Sequence, residues 1–293
     1  RLRQVCNESG LNHYMGIAIS AFVATIIAWA STLLPAEWTS TPWHPLLACA
    51  LFIVPGVPLI NFVDDMLDNY IQVGIVRAVN TLLMVAAMAF GIAFAVKLCR
   101  IENFFPTISM VPHHQYWEYA IAAAISAMGF SMIFNIQRRL LWVVAIGGII
   151  AVCTRNFVNL GPSTDNIGLD MGLVIGSFSG AVLVSLIAIK AVHWFHVPNH
   201  VLTIPSVIPM IPGVLMYRML FGIININVQS IDQVTPLMKA IESGVNSGLV
   251  IMCIALGVAI PNIFGRRFIA SSKNKRLAEL LKERKARGKF VKW

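Results

Sequence analysis

Apolar runs of about 20 residues, the length that carries an α-helix across the hydrocarbon core of a bilayer, recur along nearly the whole of this 293-residue chain. They lie near 14–34, 45–62, 73–98, 116–135, 140–158, 168–190, 200–220 and 240–263. No soluble core of this size would bury eight of them. Charged residues make up 12% of the chain, against about 25% in soluble domains. Since lipid-exposed backbone must satisfy itself, apolar runs of this length are helical. The expected fold class is an all-α polytopic membrane protein.

The chain also repeats. MGIAISAFVAT from Met15 matches MGLVIGSFSGA from Met171, an offset of 156, and VPGVPLIN from Val54 matches IPGVLMYR from Ile211, an offset of 157. The matches fall on the same two consecutive spans of each half, and a third span follows in both. The second half has two more spans ahead of its Met-Gly segment, 116–135 and 140–158. Only residues 1–13 precede that span in the first half, and the chain begins at Arg1. The expectation is therefore ten spans, eight of them present, in two five-span halves. An odd number per half makes the second an inverted-topology repeat of the first. The division expected is 1–100 as the first half, 101–115 as a linker, 116–264 as the second half and 265–293 as a basic tail.

Both repeated motifs put Pro and Gly inside an apolar segment: Pro55, Gly56 and Pro58 in one, Pro205, Pro209, Pro212 and Gly213 in the other. Each Pro removes a donor and crowds the carbonyl four residues earlier, so such breaks persist in a membrane only where protein or a water-filled cavity covers them. Transporters use broken helices to aim half-helix ends at a substrate near the midplane. A kink made for packing alone is the plainer alternative for one motif; recurrence in both halves favours a substrate pathway. Polar residues beside the breaks are candidate ligands: Asn61, Asp64 and Asp65 after the first, Tyr217 and Arg218 after the second. Arg77 and Glu242 lie in the equivalent following spans. Charges inside spans are costly and usually face the protein interior.

The net charge of +9 does not indicate a nucleic-acid-binding face. From Phe264 to Trp293 there are 11 Lys/Arg against Glu279 and Glu283, and the rest of the chain is neutral. A juxtamembrane basic tail belongs in the cytoplasm by the positive-inside rule, where Leu277, Leu280 and Leu281 suggest an amphipathic surface helix. Residue 1 is then cytoplasmic too. Arg155 counts among the few cations placed on the outer side.

Other patterns carry less. Gly168, Gly172, Gly176 and Gly180 form a ladder that suits close helix packing. His193, His196 and His200 have ligand-like spacing, but Pro198 interrupts them and no acid is near in sequence, so no metal site is expected. His113 and His114 sit in the linker, and five isolated cysteines show no paired spacing. No GxSxG, Walker, HExxH or Rossmann pattern is present; neither an enzyme nor a cofactor is expected.

The segment Pro205-Ser206-Val207-Ile208-Pro209-Met210-Ile211-Pro212-Gly213, with Tyr217 after it, resembles the signature of the threonine/serine exporter family's second half. In the first half Pro55, Gly56, Leu59, Asn61, Asp65, Gly74 and Arg77 match the family pattern. Ile60 stands for its threonine, Asp64 for its arginine, and Asn80 where an acid is usual. The resemblance implies a ten-span exporter with a cytoplasmic N-terminal domain. It also implies proton-coupled export of threonine and serine, with a split two-chain branch associated with succinate.

Residues and resemblance together give a secondary exporter of small amino acids in an inner (plasma) membrane, multi-pass and with a cytoplasmic C-terminus. Its expected substrate-binding residues are Pro55, Gly56, Asn61, Asp65, Arg77, Pro209, Pro212, Gly213, Tyr217 and Arg218. Arg77 and Arg218 would neutralise a carboxylate, and Asp65 and Glu242 would carry the coupled proton. Partners are the small-molecule substrate, protons and the lipid bilayer; homo-oligomerisation is left open. Two other readings remain: a dicarboxylate (succinate) exporter of the same fold, and a partner-dependent scaffold or half-transporter.

Overall fold

The computed structural model describes residues 5–6, 8–30, 56–99, 115–162, 167–195, 197–224 and 234–286. The helices among them are α1 (His13–Ala30), α2 (Gly56–Leu67), α3 (Ile71–Leu98), α4 (Tyr116–Ile133), α5 (Leu141–Asn159), α6 (Leu173–Phe195), α7 (Asn199–Val207), α8 (Gly213–Ile224) and α9 (Val234–Ala286). Short 3₁₀ turns precede α5 (Arg138–Leu140) and follow α7 (Ile208–Met210). No strand occurs among the described residues.

Among the described residues, five segments are long and apolar enough to cross a membrane: His13–Ala30, Ile71–Leu98, Arg138–Asn159, Leu173–Val192 and Leu237–Gly265. Three expected spans differ. The run 116–135 forms an 18-residue helix that opens on Glu118, in a capping box with Gln115. The run 45–62 falls partly outside the described residues, which contain only its end, in α2. The run 200–220 is not one helix but α7, a 3₁₀ turn and α8, because Pro205, Pro209 and Pro212 remove three donors in eight residues. The linker expected at 101–115 lies outside the described residues, apart from Gln115. The tail helix is the unbroken continuation of the last span: α9 is 53 residues long, about 80 Å at 1.5 Å per residue.

Helix ends are set by recognisable chemistry. Asn69 (φ 68°) and Asn135 (φ 54°) take the left-handed conformation, which asparagine tolerates better than most residues. Each closes its helix with two backbone bonds. Asn69 and Tyr70 N–H donate to Met66 and Asp65 carbonyls, and Asn135 and Ile136 N–H to Met132 and Ser131 carbonyls. The first closure makes a tight α2–α3 hairpin, in which a Cβ on Gly74 would stand 2.9 Å from the Phe62 carbonyl.

The glycine ladder divides by role. Gly176 and Gly180 let α6 approach the α5 backbone, where added Cβ atoms would lie 2.6 Å from the Arg155 and Ala151 carbonyls, while Gly168 sits against the Leu160 carbonyl. Gly172 does not pack: nothing stands within 4 Å of it, and its φ of +89° belongs to the turn that enters α6. The two Met-Gly segments thus differ, since Gly16 is helical and buried in α1.

The halves interlock. In the first, α1 and α2 both pack on α3; in the second, α6 and α8 both pack on α9. Yet α2 also packs on α9, and α8 on α3. Ile60 and Val63 of α2 are buried in the second half's core with Val152, Val184, Val207 and Ile254. Val214 and Met216 of α8 pack on the first half's Ile17, Met84, Met88 and Ile92. The outer surface is apolar (Ile27, Leu82 and Phe90 are exposed), with Trp117, Trp142 and Trp194 exposed at helix ends, where tryptophans favour the membrane–water interface.

Candidate substrate pathway

The two Pro-Gly motifs meet. α2 is described from Gly56, and α8 begins at Gly213, the glycine of the second pair. Gly56 is buried, and a Cβ added there would stand 2.8 Å from Ile211 Cδ1 and 3.6 Å from Ile208 Cγ1. The first break therefore packs on the residues leading into the second. Around that second break the carbonyls are re-satisfied locally. Ile211 N–H donates to the Ile208 carbonyl at 3.0 Å and Gly213 N–H to the Ile211 carbonyl at 2.8 Å. Within α7, Thr203 Oγ1 donates to the Asn199 carbonyl and Ser206 Oγ to the Leu202 carbonyl, as hydroxyls do around Pro in membrane helices.

From Gly56 the helix runs nine residues to Asp65, a rise of about 14 Å. Consecutive residues point about 100° apart, so Asp64 and Asp65 serve different neighbours. Asp65 faces its hairpin partner, where Arg77 Nη1 donates to Asp65 Oδ2 at 2.6 Å. Half of the Arg77 side chain is exposed, but only 22% of Asp65. Asp64 turns to the second half, with its Oδ2 3.8 Å from His200 Nε2. His200 lies in the first turn of α7 beside Asn262 of α9, whose Nδ2 donates to His200 Nε2 at 3.2 Å. Asn199 Nδ2 in turn donates to Asn262 Oδ1 at 3.2 Å.

Of the residues expected from sequence, the structure brings Asp65 to Arg77 and Gly56 to the Pro209–Gly213 segment. Asn61 is half-buried on α2 and Arg218 half-buried on α8. Glu242 is exposed on α9 and has no hydrogen bond or ion pair among the described residues. Pro55 and the Tyr217 side chain lie outside the described residues. Asn80, which stands where the family pattern has an acid, accepts from the Tyr14 hydroxyl at 2.7 Å and ties α1 to α3. Arg155 lies inside α5, donating from Nε and Nη2 to Asn156 Oδ1.

Sequence reasoning passed over the Asp64–His200–Asn262 cluster because His200 was judged by its neighbours in sequence, and its acid comes from the other half. A signal did exist. Asn199 and Asn262 each follow a proline inside an apolar stretch, and both are buried. Such polar residues need partners.

Among curated proteins, the chain is similar to "Probable succinate transporter subunit YjjP" of Klebsiella aerogenes, 34% identical over 97 residues. That match covers 33% of this chain and 37% of the relative, so it spans little more than a third of that protein's length. No solved structure matches the chain. Two family models do: "Putative threonine/serine exporter" over residues 1–99, and "Threonine/Serine exporter, ThrE" over residues 119–264. Each falls on one repeat half and together they take in most of the sequence: the chain belongs to the threonine/serine exporter family.

Proposed function

We propose that the protein is a secondary exporter of threonine or serine, driven by the proton gradient and built from two inverted repeats whose broken helices enclose the solute. The observation that carries this is the Arg77–Asp65 pair at 2.6 Å, whose acid lies on the helix that carries the first Pro-Gly motif and whose arginine lies on its hairpin partner. A zwitterion can insert into such a pair and re-partner both charges, its carboxylate on Arg77 and its ammonium on Asp65. The half-buried Arg218 on α8 offers a second guanidinium. Asn61, half-buried on α2, fixes hydrogen-bond geometry. A dicarboxylate would satisfy Arg77 but leave Asp65 facing a like charge, which favours the amino acid. Glu242, on an exposed face, is the weaker of the two proton carriers expected from sequence.

The relative's name favours a second reading, in which the same site exports succinate with Arg77 and Arg218 holding one carboxylate each. Efflux from cells that express the protein and are preloaded with a threonine-containing dipeptide separates the two. Threonine efflux is expected to exceed that of control cells, to collapse with a protonophore, and to fall about tenfold or more in Arg218→Ala, as when one member of a buried charge contact is truncated. Unchanged threonine efflux alongside raised succinate efflux would replace the first reading by the second. Silence for both solutes would point to dependence on a partner chain.

A further inference from the structure

Asp64, His200, Asn199 and Asn262 form a polar cluster where α2 of the first half meets α7 and α9 of the second, and the amino-acid site described above does not use it. His200 Nε2 lies 3.2 Å from Asn262 Nδ2 and 3.8 Å from Asp64 Oδ2. An amide nitrogen only donates, so the contact with Asn262 requires Nε2 to accept, and the ring proton then sits on Nδ1. In that state the Asp64 carboxylate has nothing to accept from Nε2, and 3.8 Å is beyond hydrogen-bond length. A proton taken up at Nε2 reverses both relations. The ring can no longer accept from Asn262, and it gains a charged N–H that attracts the carboxylate on α2.

Asn262 is provided for in the second state. Asn199 is 7% exposed, and its Oδ1 has no partner among the described residues. If both amides rotate, Asn262 Nδ2 donates to Asn199 Oδ1, the orphaned acceptor is satisfied, and Asn262 Oδ1 accepts from the protonated Nε2 while the ring's new charge attracts Asp64. The ring itself is partly exposed, with 39% of the side chain accessible, whereas both amides are buried. The helices packed against the other face of α7 offer apolar side chains: Ala127 from α4, Leu140 and Val144 beside α5, and Ala188 and Ala191 from α6. From α9 the group that meets the ring is the uncharged Asn262, and from α2 it is Asp64.

We propose that His200 is a proton-binding site of the transport cycle: neutral, its Nε2 accepts from Asn262 of the second half, and protonated, the same nitrogen carries a charge that also holds Asp64 of the first. Proton uptake thus adds one charged contact across the boundary between the halves, which biases how they dock. The inference rests on the exporter reading for its transport consequence but not for its chemistry, and its test separates the two.

In proteoliposomes of the full chain, exchange of labelled for unlabelled threonine needs binding and alternation, but no net proton movement. Accumulation driven by a pH gradient needs all three. His200→Gln keeps a side chain that can both donate and accept. It is expected to leave exchange within about threefold of the natural protein while gradient-driven accumulation falls at least about tenfold. Accumulation that survives in His200→Gln overturns the proposal. A natural protein that neither exchanges nor accumulates threonine sinks the amino-acid reading, and the proton site is then decided by ¹⁵N spectra of the histidine rings, with His200→Gln identifying the signal. The neutral ring is expected as the Nδ1–H form, with that preference lost in Asn262→Ala. A neutral His200 that carries its proton on Nε2 would overturn the proposal without reference to any substrate.

Discussion

Gly180→Leu is expected to cost the folded protein about 3 kcal/mol or more, at the upper end of what overpacking a tight interior does. A Cβ on Gly180 would already stand 2.6 Å from the Ala151 carbonyl and 3.0 Å from Met210 Sδ. The first neighbour is the α5 backbone, which cannot rotate away, and the second belongs to the 3₁₀ turn before the Pro-Gly break. Leucine must therefore push α6 off α5 and displace the turn that Gly56 packs against. For a chain of this size the loss corresponds to a fall in Tm of about 10 °C, read from the monodisperse fraction of detergent-solubilised protein after heating. Gly129→Leu on α4 and Gly248→Leu on α9 are the controls, since no described neighbour outside the helix's own backbone stands within 4 Å of a Cβ added at either. They should change stability by no more than about 0.5 kcal/mol, apart from a small gain from replacing glycine inside a helix. Equal melting of Gly180→Leu and the controls would remove the close α5–α6 contact from the account of the fold.

The second large effect concerns transport rather than folding. Asp65→Asn and Arg77→Gln should each reduce threonine efflux at least about tenfold, as expected when one of two charges that re-partner with a ligand is removed. The fold should barely respond, because an ion pair whose arginine is half exposed contributes at most about 1 kcal/mol. The informative variant is the exchange Asp65→Arg with Arg77→Asp, which restores the pair but presents the charges to the substrate in reverse order. Its melting temperature should match the natural protein's while its efflux stays low. Efflux restored by the exchange would show that the pair only staples the α2–α3 hairpin.

Much of the architecture follows from features of the sequence that are local. Apolar length fixed the placement of α1, α3, α5, α6 and α9, and the Pro-Gly repeat marked where the run 200–220 is interrupted. Asp65 and Arg77 were recognisable because both are charges beside the same break, and a tight hairpin joins them. What could not be read depends on contacts distant in sequence. Asp64 and Asp65 look alike in sequence, yet the 100° turn between them sends one to α3 and the other to α7. The two Met-Gly segments read as equivalent, but φ values of +52° at Asp170 and +89° at Gly172 delay the second helix until Leu173. Similarity of sequence carried over to the contact that brings the two Pro-Gly motifs together and not to the local backbone of the Met-Gly segments.

Because α2 is seated in the second half's interior and α8 against the first half's, the order of residues along the chain is not the order of mechanical units. A polypeptide cut within 101–115 would yield two fragments, each carrying a helix whose apolar face belongs inside the other. Made alone, each would expose that face and lack the plug for its own core. Made together, they would have to assemble to become stable, with no covalent link required. Whether such a machine is encoded as one open reading frame or two is, on this arrangement, a matter of genetics that the folded object would not record.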